Sequence, residues 1–464
     1  MSGISNLFNI GSSGLFAFQH ALSVTAHNMA NVNTKGYSKQ DAVLAEALPT
    51  NGRPGQIGTG VQVAAVQRNV DAFINSQLLV SRQQLGQHDA FNSALSDIER
   101  LFGDSKDQSV GTDLNNLFKA FHDVATDPSN VTARSVLLSK AQTVADRLNQ
   151  ADSTLTTQRQ SLDQEISQTI TTINNLAQQV ADLNDKISQA ELSGQHANDL
   201  RDQRQRVMHD IGEQINVTSL EDDTGQVTLF VGQGQVLVDK NVTHQLTGVA
   251  NAGNSGLLDV DYQITASASV DMTSVISNGR LKGLLDARDI TIPDVRTKLD
   301  TLASNLVTEV NTQHQVGVGL DGSTGLNFFA PTGVTARTIA VALTNGRQIA
   351  ASDTAAGLPG NNVNALALAN LEHKSITALG NTTLNGYYQT TASGVGSEAQ
   401  HASQDLTAQH TLQSELEAHW SEVSGVSLDE ELVNMMAYQR AFEASSRVVV
   451  MADELMQTIL NLKR

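Results

Sequence analysis

The sequence predicts a mainly α-helical chain with inserted β structure: long terminal helices forming a coiled coil, an elongated helical rod domain and a small inserted β domain. Three observations predict it. Residues 129–193 contain neither Gly nor Pro, which allows a single helix of roughly 90 Å. Both ends of the chain carry apolar residues at alternating spacings of three and four, the heptad rhythm. Between 216 and 275 the apolar period falls to two, the mark of strands.

At the N-terminus, Ile4, Phe8, Leu15, Phe18, Leu22 and Met29 form the stripe, with Gly11 and Thr25 filling its gaps. The helix should end near Asn31, because Asn33-Thr34-Lys35-Gly36 is turn chemistry and Gly can take a positive φ. At the C-terminus, Ser427-Leu428-Asp429-Glu430 reads as a capping box in which Glu430 reaches back to the cap. No Gly or Pro follows before Arg464, and Met435, Tyr438, Phe442, Ser445, Val449, Ala452, Met456 and Ile459 keep the rhythm. Isolated helices are marginal in water. Such stripes are met by ordinary core packing, by pairing of the two ends, by pairing with other copies, or by a membrane surface. The last requires a basic polar face, which residues 1–34 lack, having no charged residue at all.

In the middle, Ile74, Leu78, Leu85, Leu95, Ile98 and Phe102 predict a long helix, and Leu114 to Val124 a shorter one. The long helix follows Pro128 and stops before Gly194. Its seam runs through Leu148, Leu155, Leu162, Ile166, Ile173, Leu176, Val180, Leu183, Ile187 and Ala190. A return helix is expected at 198–214 with Leu200, Val207 and Ile211 inward. Val227, Leu229 and Val231, the turn Gly232-Gln233-Gly234, then Val236 and Val238 make a hairpin. Leu258, Val260, Tyr262 and Ile264 make a half-buried strand. Helix resumes at 280–313; a strand is expected at 338–344, and helix again at 397–423 with Leu412, Leu416 and Trp420 on one face. The expected domains are 1–65 with 425–464 (terminal coiled coil), 66–215 with 276–424 (rod, with some β around 322–371), and 216–275 (inserted β).

Composition narrows the function. A formal charge of −19 disfavours general nucleic-acid binding. The absence of Cys removes disulfides and thiolate chemistry. No apolar run is long enough to span a membrane, and the uncharged N-terminus lacks the basic region of a secretory signal. Export, if it occurs, is expected by another route. Gly317-Val318-Gly319-Leu320-Asp321-Gly322 fits a dinucleotide fingerprint only in spelling, since a helical pattern precedes it and Ser323-Thr324-Gly325 follows. His209 and His314 lack ligand spacing, and Asp222-Asp223 reads as a solvated turn. No catalytic residues, cofactor or metal are expected.

Asn28-Met29-Ala30-Asn31-Val32-Asn33-Thr34-Lys35-Gly36-Tyr37-Ser38-Lys39-Gln40 resembles the N-terminal signature of the bacterial flagellar rod, hook and hook-associated axial proteins. Asn31, Asn33, Thr34, Gly36, Tyr37, Ser38 and Gln40 carry it; Lys35 stands where proline is usual and Lys39 where arginine is common. Leu428, Asp429, Glu430, Gln439 and Phe442 carry the matching C-terminal signature in 425–432 and 438–447. The Tyr37-Ser38 ending, Gly279 to Asp289, and Asn311 to Phe329 resemble the members at the hook–filament junction.

That resemblance implies a structural subunit, not an enzyme. It implies export through the flagellar type III apparatus and assembly outside the cell as a ring of eleven between the hook protein and a second junction protein next to the filament. An export chaperone on the C-terminal helix is implied too. The expected self-assembly stripe is Leu15, Phe18, Leu22 and Met29 with Met435, Tyr438, Phe442, Val449, Met456 and Ile459. The competing readings are another axial protein (hook or distal rod), a type III-secreted effector or translocator, and an enzyme.

Overall fold

A computed structural model describes residues 2–51, 55–102, 109–192, 194–265 and 267–462. The expected helix ends at Ser193 and Arg464 lie outside the described residues.

Helix α1 (Ser2–Ala30) runs into a turn and then the antiparallel hairpin of β1 (Gln40–Glu46) and β4 (Val61–Arg68), whose tip holds the short strands β2 (Thr50–Asn51) and β3 (Gln56–Ile57). The rod opens with α2 (Ala72–Phe102), α3 (Val110–Thr126) and α4 (Val131–Glu191), and α5 (Asn198–Gln214) returns along α4. Side-chain caps set the starts of α3 and α4. Ser109 Oγ accepts from Thr112 N at 3.1 Å, and Asn130 Oδ1 from Ala133 N at 3.0 Å.

Two antiparallel sheets follow. Strands β5 (Val217–Glu221), β6 (Val227–Val231), β7 (Gln235–Asp239) and β8 (Val242–Thr243) pair in sequence; β9 (Leu246–Ala250), β10 (Leu258–Thr265) and β11 (Ala268–Asp271) form the second sheet with β10 central. Helix α6 (Arg280–Asp286) passes through one π turn (Ala287–Thr291) into α7 (Ile292–Gln315). Pro293 falls in the first turn of α7, where its missing N–H is tolerated. Strands β12 (Val318–Gly319) and β13 (Ala350–Ser352), then α8 (Val363–Asn370), precede α9 (Leu384–Ser424) and α10 (Leu428–Leu462).

The long seam of α4 is buried as the sequence predicts at Leu148, Leu155, Leu162, Ile166, Ile173, Val180 and Ile187, while Leu176 is half-buried and Ala190 exposed. One apolar cluster runs from α2 and α3 along α4, under both inserted sheets through Val227, Leu229, Leu237, Leu246 and Val260, and on to α6 and α7. The sheets are pinned to α4 by polar side chains. Asn184 Nδ2 donates to Val227 O and Lys240 O, both at 2.7 Å, and Asn174 Nδ2 to Leu246 O at 2.8 Å.

Several expectations are corrected. The strand at 338–344 does not form: Thr338 N and Ile339 N bond back to Thr335 O as a turn, and Val341 makes a single bridge to Phe329. Asn149 of α4 takes the carbonyls of Ala336 and Ile339, so side-chain partners replace a ladder. The pleat of β7 slips at Leu229/Phe230, which buries Leu237 and Val238 in succession, not Val236 and Val238. Ile264 is exposed. In α5, Leu200 and Val207 are only half-buried, and Asp202, Arg204 and Met208 accompany Ile211 inward.

Helix α9 begins at Leu384, earlier than 397, capped by Thr383 Oγ1 accepting from Gly386 N at 3.1 Å. Its Leu412 faces solvent. Tyr388, Val395, Ala399 and Ala402 face inward along the first half of α9, and Gln409 and Gln413 take over beside Leu412, with Gln409 Nε2 donating to Ser81 O of α2 at 2.9 Å. A hydrophobicity pattern cannot register the part of a seam built from glutamines.

Candidate assembly site

Helices α1 and α10 lie antiparallel, as their facing pairs show: Gly11 with Val449, Gly14 with Ser445, Phe18 with Tyr438 and Asn28 with Glu431. The most buried positions of α1 are small or polar: Gly11, Gly14, Ala17, Ala21, Thr25 and Asn28. A Cβ added at Gly11 would sit 2.7 Å from Val449 Cγ2 and 3.2 Å from Val449 N, so the backbones approach too closely for large side chains between them.

The small members of the expected stripes, Gly11, Thr25, Ser445 and Ala452, lie in the seam, and the large members flank it. Leu15, Phe18, Leu22, Met29, Met435, Tyr438, Phe442 and Val449 are half-buried; Met456 and Ile459 are exposed. Phe18 and Tyr438 stack with ring centroids 6.5 Å apart. The β1–β4 hairpin covers another side of α1, with Val61 N donating to Ser13 Oγ at 3.3 Å and Asn6 Nδ2 to Gly58 O at 3.4 Å. The open surface mixes polar residues with large apolar ones: Phe8 and Phe16 on α1, and Leu432, Val433, Met436, Val450, Met451, Leu455 and Leu460 on α10.

The N-terminal signature folds into a polar joint between this helix pair and the rod. Asn28, only 1% exposed, satisfies four groups at once. Its Nδ2 donates to Gln40 O at 2.8 Å and Glu431 Oε2 at 3.1 Å; its Oδ1 accepts from Tyr37 OH at 2.8 Å and Gln40 N at 3.0 Å. Tyr37 packs its ring edge-on to His27, and its hydroxyl pKa is pushed up by burial and by the charges of Asp199, Asp202 and Glu431. Gly36 adopts φ +72°, and a Cβ there would meet the Arg206 side chain at 2.8 Å.

Ser38 and Gln40 reach α5. Ser38 N and Oγ donate to the two oxygens of Asp202 at 2.8 and 2.9 Å, and Arg68 donates to Asp202 Oδ1 at 2.7 Å. Gln40 Nε2 donates to Asp199 Oδ1 at 2.7 Å, and Asn198 Nδ2 donates to Gln40 Oε1 at 3.2 Å. Arg206 donates to Gly36 O at 3.2 Å. Lys39 N donates to Ser424 O at the end of α9. Asn31 stays local, donating to His27 O and accepting from Thr34 Oγ1.

Glu430 does not close a capping box. Its N–H is 3.5 Å from Ser427 Oγ, but its carboxylate takes Lys39 Nζ at 3.2 Å instead of the cap's own amide. Burial alone would lower the Lys39 pKa; the hydrogen bond to Glu430 and the charges of Asp41, Glu430 and Glu431 outweigh it and raise it. Asn33, Leu428, Asp429 and Gln439 face solvent.

Sequence reasoning missed the partners of the signature: Arg68, Asn198, Asp199, Asp202, Arg206 and Glu431. Asp199 and Asp202 in the first turns of α5 read as ordinary dipole-compensating residues. Nothing in the spelling says that a segment some 160 positions earlier binds them, as the 159- and 164-residue separations of Gln40–Asp199 and Ser38–Asp202 require.

The other singled-out residues are structural. His314 Nδ1 donates to Leu326 O at 2.7 Å while Nε2 accepts from Ala350 N at 3.0 Å. His209 lies 2.9 Å from Gln205 Nε2, and burial with the nearby Arg82 charge lowers its pKa to about 4. Gly319 opens a tight turn in which Asp321 accepts from Ser323, with no helix following. Asp222 caps its turn by accepting from Thr224 and Gln226. Among the described residues no group of three or more His, Asp or Glu is placed to hold a metal ion, and no helix is long and apolar enough to cross a membrane.

Comparison with known proteins gives this architecture a family. The profile described as Flagellar hook-associated protein FlgK helical domain matches residues 95–329. The ends match two others: Flagella basal body rod protein at 8–37 and Flagellar basal body rod FlgEFG protein C-terminal at 418–462. The chain is 30% identical to Flagellar hook-associated protein 1 of Bacillus subtilis, over an alignment covering 96% of both chains. It is 27% identical to the protein of that name in Salmonella typhimurium, covering 99% of this chain and 100% of the relative. In fold it is similar to the flagellar hook junction protein FlgK from Burkholderia pseudomallei, with a TM-score of 0.66 at 18% identity, covering 75% of this chain and all of that one. With the helical-domain profile spanning half of its length and a full-length relative at 30% identity, the chain belongs to the FlgK family of flagellar hook-associated proteins.

Proposed function

We propose that this chain is a structural subunit of the bacterial flagellum that forms the junction between hook and filament and is needed for filament assembly. The observation that carries the proposal is the terminal helix pair. It is bound to the rod by a polar joint made of signature residues, yet it leaves large apolar side chains uncovered on both helices. Phe16 is 66% exposed, Leu460 63% and Met451 55%. Exposed apolar surface of that extent marks an interaction surface, and a paired-helix rod is suited to stacking beside its own copies.

On this reading the subunit is exported through the type III apparatus, acts outside the cell, and assembles as a ring with the hook protein on one side and the second junction protein on the other. A chaperone covers α10 before export. The absence of Cys supports threading of an unfolded chain, since no disulfide can trap it. The role is mechanical and not catalytic: the polar clusters described above are spent on holding helices, strands and turns together.

The test is electron microscopy of a flagellated bacterium lacking its own junction protein, with and without this chain. The expected result is bare hooks and flagellin shed into the medium without it, and filaments restored with it. Filaments growing equally well in both would overturn the reading.

A further inference from the structure

We propose that neighbouring copies interlock through Phe73 of one subunit seated in the cavity beneath the Tyr37 turn of the next, a head-to-tail contact at the base of the rod. The proposal rests on the self-assembly reading above and adds the contact that orders the ring.

The cavity lies where the signature turn meets α2, α5 and α9, and measures about 470 Å³, within the range of pockets that take an aromatic group. Its walls include Tyr37, Val70, Leu78, Trp420 and Val426. Arg82 is paired with Glu417 through Nη2 at 3.1 Å, but its Nε, buried on this wall, has no hydrogen-bond partner, and guanidinium groups favour the face of an aromatic ring. The lining carries both signs of charge: Asp202 and Glu417 are paired with Arg68 and Arg82, Asp210 is the third acid, and on the rim stand Lys35 and Arg206. Among the described residues no ion pair involves either, although the chain carries a net charge of −19.

The knob is on the opposite side of the same helix. Phe73 is 68% exposed and Val80, seven residues on, 49%. At 3.6 residues per turn, cavity-lining Leu78 and Arg82 point roughly 140° and 180° away from Phe73. Val70 and Asn75, which also line the cavity, bracket Phe73 in the chain, so knob and hole lie at one height. Asp71 fixes its carboxylate beside the knob by accepting from Phe73 N at 2.7 Å and Ile74 N at 3.2 Å. With two acids of the hole already paired, the acid beside the knob complements the two cations on its rim, which outnumber the remaining acid, Asp210.

A knob and a hole on opposite faces of one subunit cannot satisfy each other within the molecule. They also cannot close a two-fold dimer, which requires the same patch on both sides. They form a heterologous contact, which propagates from copy to copy and closes only as a ring or continues as a helix. That geometry favours a second copy of this chain over any other occupant.

The chain has no native Cys, so a full-length Gln77→Cys, Ser421→Cys variant keeps Phe73 and carries one thiol a turn along α2 from the knob and one on the cavity rim. It would be expressed in the strain lacking its own junction protein, and the assembled flagella treated with a short bis-maleimide. The expected result is a ladder of covalent multimers from the double variant and none beyond dimers from either single variant. Normal filaments without a ladder would overturn the interlock and leave the junction reading intact. Phe73→Glu, at an exposed site, should fold normally by circular dichroism and reduce filament-bearing cells by about tenfold or more, whereas Phe73→Leu should not. Undiminished filaments with Phe73→Glu would also overturn it, and failure of the unaltered chain to restore filaments would sink the junction reading itself.

Discussion

The Tyr37 hydroxyl donates to Asn28 Oδ1 at 2.8 Å, and through Asn28 the same contact reaches Glu431 on the far terminal helix. One buried amide thus ties α1, the signature turn, β1 and α10 together. A buried polar group left unpaired costs about 1–3 kcal/mol, whereas a made bond contributes about 1. Tyr37→Phe should be mild, because Asn28 Oδ1 still accepts from Gln40 N. Asn28→Leu should be severe, stranding Gln40, Tyr37 and the Glu431 carboxylate. Hydrogen exchange across α1 and α10 checks this: protection should fall much further with Asn28→Leu than with Tyr37→Phe.

Asp202 gives a different readout. It accepts from Ser38 twice and from Arg68, all from the terminal side of the joint. Asp202→Ala leaves the Arg68 guanidinium without its partner and should weaken the joint by about 1.5–3 kcal/mol, the range for bonds to charged groups. The apolar cluster of the rod does not include Asp202. Small-angle scattering should therefore show the terminal pair reorienting, while the unfolding transition of the rod moves little. A rod that melts together with the joint would contradict this separation.

Sequence legibility followed chemistry. The seam of α4 was readable because Leu148, Leu155 and Leu162 obey the period of a buried helix face, and apolar burial is what that period encodes. The strands of β6 were readable for the same reason at period two. The α1–α10 seam was legible only in part: Gly11 and Thr25 keep the apolar rhythm, but Gly14, Ala17 and Ala21, whose value is their small size, carry no such signal. The partners of the signature were invisible because Asp199 and Asp202 sit on another element, and long-range hydrogen bonding leaves no local period.

Within the rod, Ile173→Ala should cost about 2–5 kcal/mol, as expected for a fully buried aliphatic side chain. Leu176→Ala should cost clearly less, because Leu176 lies at the edge of the cluster and is half-buried. Urea denaturation of the two variants decides it. Equal losses would mean that the buried side of α4 is broader than the structure has it.

His209 makes stability pH-dependent. Burial and the Arg82 charge lower its pKa from 6.5 to about 4, so the fold holds it neutral. Below pH 6.5 the unfolded chain binds a proton that the folded chain refuses. The His209 contribution is therefore fully present above about pH 6.5 and declines as pH falls toward 4. His209→Gln should flatten that part of the stability profile in denaturant titrations. An unchanged slope between pH 6.5 and 4 would show that other groups carry it.

The terminal helices offer the test that separates folding from assembly. Val449 meets Gly11 in the intrachain seam, whereas Met451 and Leu455 stand 55% and 43% exposed on α10. Val449→Asp places a charge where the backbones nearly touch. It should unpair α1 from α10, with loss of protection along both helices. Met451→Asp with Leu455→Asp adds charge only to the uncovered face. A fully buried apolar side chain of this size is worth roughly 1.5–3 kcal/mol, so the double change should remove several kcal/mol from any contact that covers the face, and nothing comparable from the free subunit. The expected pattern is a normally folded monomer that fails to support filaments and fails to be held by an export chaperone. If the double variant still built filaments at the normal frequency, the open face of α10 would be surface alone, and the copies would have to meet through the seam or the rod.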